Sequence, residues 1–455
     1  MGRRCRTSRS RLVRGKMDRV SSLPDDLILN VMSFLTTKEA ASTSILSKRW
    51  RYLFAYVRAL DIDNSVFLHP EENKRERKGI RQSFMDFVDR VLALQGDSPI
   101  DKFSLRCETG VDSDRVHQWI CNVLQRGVLD INLSIDLGEI GYLLVQTFIS
   151  TNLVELKIAS GCHINFQPGH ISLPVLKTLT LVEPVFSDSG QLQRLLSACP
   201  VLEALDLASV HWSYRNETLS SATLKTLTIV SAKSLEALSF DTPNLLCLKY
   251  SELVARDFPL VNLGNLVEAH IKLDCKLSLP SFGSNVPKLF RGICSVQKLY
   301  LSPGALQVLG RSCQAIPVFN NLTLLEIESS KNVAWQAMPV LLRNSPHLET
   351  LVIKGGLAHS FTNECGDACN CISREEKGRS LASCPVKRLE IRGFEGMLKD
   401  TEMIKHFLDY FPCLKMMEVY VKDGRPRHLA PIASDSYNHL SSRNVRIKVH
   451  DDSLT

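Results

Sequence analysis

The sequence lacks any apolar run long enough to cross a membrane. Its longest uncharged stretch, residues 140–154, contains Gly, Gln, Thr and Ser and is too short and too polar to span a bilayer. No apolar segment of the signal-peptide type follows the N-terminus. The 14 cysteines of this 455-residue chain occur mostly singly within apolar runs, as buried thiols do in a reducing compartment. We therefore expect a soluble protein of the nucleus and/or the cytoplasm, with no membrane partner.

A surplus of positive charge is also lacking outside the segment 1–16. That segment holds seven Lys and Arg and no acid, and without them the 55 basic residues fall to the number of acidic ones, 48. Nucleic-acid binders need a basic surface that follows the phosphates, so a neutral body predicts no nucleic-acid partner. The basic tail fits a nuclear-import signal or an organellar transit segment, but we expect it to be disordered.

Motifs for chemistry are scarce. Cys365, Cys369 and Cys371 are spaced C-x3-C-x-C, with His359 before them and Cys384 after them. Structural zinc sites favour pairs spaced C-x2-C, and the surrounding segment is rich in Gly, Ser and charge, so an exposed loop is the better interpretation. No glycine-rich phosphate loop is present, and nothing singles out one cysteine as a nucleophile. We predict no catalytic residue, no metal site and no cofactor.

What the sequence does contain is a repeated apolar frame, with a large aliphatic residue at the first, fourth and sixth positions. Most successive strong copies recur at intervals of roughly 20–30 residues. The strong copies start at Leu153, Leu176, Leu202, Leu224, Leu245, Val296, Leu322, Leu348, Val386 and Leu414, and weaker ones start at Val128 and Leu266. Self-similarity at a fixed period is the signature of a solenoid, whereas chance strings in an ordinary α/β domain would not recur at this spacing.

Each frame predicts one short strand, because alternate residues such as Leu179 and Leu181 then share one face. Segments between the strands carry helical patterns, as at Leu192, Leu195 and Leu196. One strand–helix unit cannot cover its own apolar face, so neighbouring units must stack.

The array resembles leucine-rich repeats. Regular repeats of that family place Asn or Cys three residues after the frame, where this chain has Pro184, Val210 and Ala232. We therefore expect an irregular solenoid (a horseshoe) of uncertain curvature. The outward positions of its strands would be Lys157, Thr180, Asp206, Thr228, Lys249, Tyr300, Glu326 and Glu390. Their mixed charges are as much expected for a solvent-exposed face as for a binding face, so we assign no target-binding residue.

A different pattern occupies residues 21–54, SSLPDDLILNVMSFLTTKEAASTSILSKRWRYLF, which hold more large apolar side chains than so short a segment can bury. Pro24 suits the start of a first helix. The segment Thr36 to Glu39 forms a capping box for a second helix, and Ser47 caps a third. An exposed apolar patch on such a unit marks a partner site. Trp50 either belongs to that site or closes the small three-helix core.

These residues resemble an F-box of the plant type, with its LPDD opening, its SFL and KEA centre and its LSKRWRYL ending. The helix IRQSFMDFVDRVLALQ and the later segment from Trp119 resemble the start of plant F-box/leucine-rich-repeat proteins, and residues 384–421 resemble the FBD domain that closes many of them. The resemblance implies an α/β chain whose small all-α F-box precedes the solenoid. The predicted divisions are 1–16 (basic tail), 17–57 (F-box), 58–95 (linker and capping helix), 96–383 (repeats), 384–421 (FBD-like unit) and 422–455 (C-terminal segment).

The same resemblance implies a non-catalytic receptor subunit of a Skp–cullin–F-box ubiquitin ligase. Its F-box would dock on a Skp-type adaptor within a cullin-containing complex, and its repeats would hold a target protein. Thr36 replaces the usual Pro, and Phe54 replaces a frequent Trp. The alternative is a scaffold or inhibitor without ligase assembly. Carried over by position, the adaptor contacts would be Leu23, Pro24, Leu27, Ile28, Leu35, Ile45, Leu46, Trp50 and Leu53.

Overall fold

A computed structural model describes most of the chain. The predicted basic tail, most of the C-terminal segment and three residues of the cysteine cluster (His359, Cys365 and Cys371) lie outside the described residues. The described residues are 22–65, 79–107, 111–136, 148–159, 169, 171–231, 235–253, 255–274, 285–311, 316–330, 335–357, 366–370, 377–421 and 445–451.

Helices occur at the N-terminus and between many of the strands. None of those in the described ranges is both long and apolar enough to cross a membrane. In chain order they are α1 (Asp25–Ser33), α2 (Thr37–Thr43), α3 (Lys48–Phe54), α4 (Ile80–Gln95), α5 (Ser113–Gln125), α6 (Gln191–Ser197), α7 (Val286–Gly292), α8 (Pro303–Arg311), α9 (Met338–Arg343), α10 (Arg379–Ala382) and α11 (Leu398–Tyr410).

Strands recur along the whole chain from residue 59 onward. In order they are β1 (Ala59–Asp63), β2 (Lys102–Cys107), β3 (Asp130–Ile135), β4 (Phe148–Ile149), β5 (Glu155–Ala159), β6 (Ile171–Ser172), β7 (Thr178–Val182), β8 (Val185–Phe186), β9 (Ala204–Trp212), β10 (Asn216–Ser220), β11 (Thr226–Ser231), β12 (Ala237–Asp241), β13 (Cys247–Leu253), β14 (Val261–Asn262), β15 (Glu268–Asp274), β16 (Lys298–Leu301), β17 (Leu324–Glu328), β18 (Thr350–Lys354), β19 (Arg388–Phe394), β20 (Met416–Val421) and β21 (Arg446–Asp451).

One parallel sheet of sixteen described strands runs through the molecule. Fifteen of them follow one another in chain order, from β1 through β9 and β15 to β21, and β8 pairs with β9 off this path. The small sheets β10-β12-β14 and β4-β6 lie outside it. Every frame predicted from the sequence falls on a strand of the large sheet, and the strand begins at the third frame residue. The fourth and sixth frame residues stack in buried rows, as Leu205 does on Leu227 and Leu207 on Ile229. The predicted leucine-rich-repeat solenoid is thus confirmed.

The layer that covers the sheet is irregular, and repeat length explains why. The repeats from β3 to β7 and from β9 to β15 are the shortest, and their covering segment is a short strand or bridge. The longer repeats whose cover is described contain a helix there, as α6 between β7 and β9. A helix rises only about 1.5 Å per residue against about 3.3 Å for a strand, so an extended segment covers the layer with the fewest residues. The described cover of these short repeats is therefore not helical, although helical patterns were predicted between the strands, and α6 covers the repeat that separates the two groups.

Four strands of the sheet were missed by the sequence prediction: β1, β2, β21 and the two-residue β8 beside β9. The sequences around β1 and β2 do fit the frame pattern. Val57, Leu60 and Ile62 form the frame of β1, and Phe103 belongs to the frame of β2. The frame of β21 has a polar residue at its first position and therefore does not match the pattern. β21 continues the sheet beyond residue 421. The sheet thus begins directly after the N-terminal helices, within the segment predicted as a linker.

Candidate functional site

The three N-terminal helices are defined by their caps. The Thr36 hydroxyl accepts a hydrogen bond from the Glu39 amide (3.3 Å), and the Glu39 carboxylate accepts one from the Thr36 amide (3.0 Å), so the predicted capping box of α2 is present. Ser47 caps α3 by accepting from the Trp50 amide (3.3 Å), also as predicted. Pro24 immediately precedes α1. These local bonds fix where each short helix begins.

The helices are attached to the start of the sheet. The backbone amide of Asp61 in β1 donates to the buried Thr37 hydroxyl on α2 at 2.7 Å. Across the unit, the Arg49 guanidinium on α3 donates to Asp25 (2.7 Å) and to the Leu23 carbonyl (2.6 Å). The helical unit therefore contacts the first strand of the sheet directly.

Five of the nine predicted adaptor contacts pack within this chain. Ile28, Trp50 and Leu53 are buried in its core, while Leu23 and Leu35 are partly buried against that core. Trp50 therefore closes the helical core, one of the two roles its position suggested. Whether any of these residues also contacts a partner stays a prediction.

The other four, Pro24, Leu27, Ile45 and Leu46, are exposed. Two further apolar residues on or next to α1 share this exposure and were left out of the predicted contacts. We call these six residues the exposed apolar set. It consists of Pro24 and, with their exposed fractions, Leu27 (48%), Val31 (45%), Phe34 (83%), Ile45 (86%) and Leu46 (62%).

Helical spacing was the signal that could have found the two missed residues. Leu27, Val31 and Phe34 are separated by four and three positions and so lie on one side of α1 and its C-terminal cap. Ile45 and Leu46 lie in the turn between α2 and α3, where no periodicity applies. Soluble proteins rarely leave this many large apolar side chains uncovered in one small unit, so it has the character of a protein-binding surface.

A second surface lies on the face of the large sheet opposite the buried rows, which we call the open face. The eight outward residues predicted from the repeats all occupy one register row on this face. In strand order the row is Asp61, Ser104, Asn132, Lys157, Thr180, Asp206, Thr228, Lys249, His270, Tyr300, Glu326, Val352, Glu390, Glu418 and Lys448.

The C-terminal end of the open face is a network of charge pairs. Glu390 and Glu418 are buried although they lie on this face. Arg392 donates to Glu390 at 2.6 Å, and Arg388 donates to Glu418 at 2.5 Å. The Arg392 guanidinium also lies 5.2 Å from the centre of the Tyr420 ring. Buried carboxylates need such partners, so these residues are committed to one another in the free protein.

Known proteins resemble the chain in both parts. A model of the F-box domain matches residues 20–59, which hold all three N-terminal helices and the start of β1. A model of the LRR repeats of FBD-associated F-box protein At5g56370 matches residues 116–259. "Putative F-box/LRR-repeat protein At3g58880" of Arabidopsis thaliana is 65% identical over 95% of this chain and 99% of its own length. The chain belongs to the F-box/LRR-repeat family.

Two further relatives of this F-box/LRR-repeat protein cover it almost completely. F-box protein At3g03040 of Arabidopsis thaliana is 50% identical over 95% of this chain and 98% of its own length. F-box/LRR-repeat protein At5g38396 of the same plant is 48% identical over 95% and 99%. The matched repeat model belongs to proteins described as FBD-associated, while the FBD-like unit at 384–421 stays a prediction.

The described cysteines of this F-box/LRR-repeat protein include several unreactive thiols. Burial raises the pKa of Cys107, Cys199 and Cys384 to about 12 in each case, so these thiols stay protonated at neutral pH. Cys369 is buried as well, although its segment was interpreted as an exposed loop. Thiols of this kind are structural, because the thiolate is the nucleophile and the metal ligand.

Proposed function

We propose that this F-box/LRR-repeat protein is the non-catalytic substrate receptor of a Skp–cullin–F-box ubiquitin ligase. Its helices α1–α3 dock on a Skp-type adaptor through the exposed apolar set. The open face of the sheet holds the protein that is ubiquitinated, and the complex acts in the nucleus and/or the cytoplasm. The observation that carries the adaptor assignment is the exposure of the apolar set, above all Phe34 and Ile45, on a unit whose helices α2 and α3 are capped.

The energetics favour this docking. Standard protein interfaces bury about 1,200–2,000 Å² in total, and a few large apolar or aromatic anchors supply most of the binding energy. Phe34 and Ile45 are such anchors, because binding removes them from water and exposes no buried polar group in exchange. The adaptor-facing helices and the open face belong to different parts of the molecule, so the two partners can bind together.

The test is co-purification of a Skp-type adaptor and a cullin with the full-length chain. Phe34→Glu combined with Ile45→Glu should abolish adaptor capture, because each change would bury an unpaired charge in the interface. The matched control is Leu398→Glu, since Leu398 at the start of α11 is equally exposed (85%) and lies in the last repeats. Circular dichroism should be unchanged for both variants.

Adaptor capture that survives the double change with an intact circular dichroism spectrum would overturn the docking assignment. Capture of the adaptor without a cullin would instead support the scaffold or inhibitor alternative. Substitutions on the open face, such as Lys157→Glu, should leave adaptor and cullin capture unaltered.

A further inference from the structure

Three side chains with metal-binding atoms meet in the middle of the open face. The register pairs Cys247 of β13 with Glu268 of β15, and His270 lies two residues after Glu268 on the same face. A ligand atom of each residue, the sulfur, a carboxylate oxygen and an imidazole nitrogen, lies within 4.8 Å of the other two. All three side chains are partly buried, so they are held by their neighbours and still reach solvent.

The imidazole of His270 is fixed in place. Its ring stacks on the Tyr300 ring with centroids 4.0 Å apart and planes 1° from parallel. Its Nε2 lies 2.7 Å from Glu268 Oε1. An imidazole nitrogen and a carboxylate oxygen are thus adjacent, with the Cys247 sulfur within 4.8 Å of both.

We propose that Cys247, Glu268 and His270 bind a Zn²⁺ ion, with the fourth ligand position open to water on the open face. Thiolate, imidazole and carboxylate are the ligand types of zinc, and three protein ligands with one open position is a common zinc geometry. Zinc–ligand bonds of about 2.0–2.3 Å place neighbouring ligand atoms roughly 3.2–3.8 Å apart. The three ligand atoms lie from 2.7 Å (His270 Nε2 to Glu268 Oε1) to at most 4.8 Å apart, so the side chains must readjust to hold the ion. The inference holds whether or not the open face binds a target.

The charges around the cluster set the strength of binding. A Cys247 thiolate and a Glu268 carboxylate together neutralise the ion. Two lysines flank them: Lys298 Nζ lies 3.6 Å from a Glu268 oxygen, and Lys249 neighbours Cys247 on the same strand. Their positive charges oppose a cation but favour the thiolate. Because the thiolate is the form of cysteine that binds a metal, metal binding must displace the Cys247 proton.

The alternative is that Glu268 and His270 form only an ion pair and that Cys247 takes no part in the interaction. The two descriptions differ in one respect that can be measured, which is a bond from the sulfur to a metal. Co²⁺ is the probe, because a cobalt–thiolate bond absorbs in the near ultraviolet whereas cobalt bound by nitrogen and oxygen alone does not.

The experiment uses the full-length chain with Cys365→Ser and Cys371→Ser as the parent, so that the other cysteine cluster does not contribute. Titration with Co²⁺ should give the thiolate band at one equivalent, and added Zn²⁺ should displace the cobalt. Cys247→Ser should abolish the band. Cys294→Ser is the matched control, because Cys294 is another partly buried free thiol, and it should leave the band unchanged.

Glu268→Gln keeps the sulfur and provides a second arm if Cys247→Ser does not fold. That variant should retain the thiolate band, but half-saturation should need a Co²⁺ concentration at least about tenfold higher than in the parent. The proposal is overturned if the parent gives no thiolate band, if the band survives Cys247→Ser, or if Glu268→Gln binds Co²⁺ as tightly as the parent.

Discussion

Phe34 and Phe103 illustrate how differently the two regions of the molecule treat the same side chain. Phe34 follows α1 in the F-box helices and is largely in water, whereas Phe103 in β2 is completely buried between the sheet and its cover. The repeats can bury their apolar rows because each unit is closed by the next one. Within the described part of the chain, the helices have no such neighbour on the side of Leu27, Val31 and Phe34. The described repeats thus bury their apolar rows, whereas the described helices leave the side of Leu27, Val31 and Phe34 open, and this is the side that the proposed docking would cover.

The largest predicted effect is on the repeat side of this comparison. Phe103→Ala removes a fully buried aromatic ring and should lower the free energy of unfolding by about 3–5 kcal/mol. Urea denaturation followed by circular dichroism measures this change. A loss below about 1 kcal/mol would mean that β2 contributes little to the core and that the array begins further along the chain.

The two regions also differ in their ionisable groups. The repeats bury several of them, whereas the described F-box helices bury none. Desolvation, helped by the positive charge of Lys377, lowers the pKa of His406 in α11 to about 4, against about 6.5 in the unfolded chain. Between these values the unfolded chain binds more protons. Stability should therefore be full above pH 6.5 and fall by about 3 kcal/mol as the pH drops toward 4.

The check is the free energy of unfolding at pH 7.5 and at pH 4.5. His406→Gln should be less stable at pH 7.5 but should lose less on acidification than the parent does. His347→Gln, at an exposed histidine, serves as the control and should keep the parental slope. An unchanged slope in His406→Gln would assign the acid sensitivity to other groups.

A smaller effect is expected from the capping box. Thr36→Ala removes the acceptor for the Glu39 amide and should destabilise α2 by about 1 kcal/mol. Hydrogen exchange of the α2 amides is the suitable measurement, since the helical unit can open without the array. Ser42→Ala, at an exposed position inside the same helix, should be neutral or slightly stabilising.

The smallest effect on the free energy of unfolding is expected at Phe34, the exposed counterpart of Phe103. Phe34→Ala should change the free energy of unfolding by less than about 0.5 kcal/mol, because its ring is mostly in water in the free chain. The same urea experiment applies. A loss comparable to that of Phe103→Ala would show that this chain does cover Phe34, and the two regions would no longer differ.

Sequence patterns were sufficient wherever the structure depends on residues close along the chain. The frames of the repeats, the capping box at Thr36 and the serine cap at Ser47 are local, and all of them are present. The strand-built cover in the middle of the array was not anticipated, because it depends on how many residues a repeat leaves for the covering layer.

The surfaces were predictable only in part. The eight outward positions of the repeats follow from the period of two, so the open face was anticipated. The meeting of Cys247 with Glu268 and His270 was not, since these residues are joined only by the register between β13 and β15. Similarly, burial of Ile28 and Trp50 and exposure of Phe34 depend on how α1 packs on α3, which helical periodicity does not determine.

The hydrogen bond from Asp61 to Thr37 has a geometric consequence. It joins the helical unit to the first strand of a sheet whose described strands continue side by side to the last one. With neighbouring strands about 4.8 Å apart, fifteen in succession extend roughly 65–70 Å along the sheet. For a target bound on the open face, as proposed, the strand that it occupies sets its distance along the sheet from the helical unit.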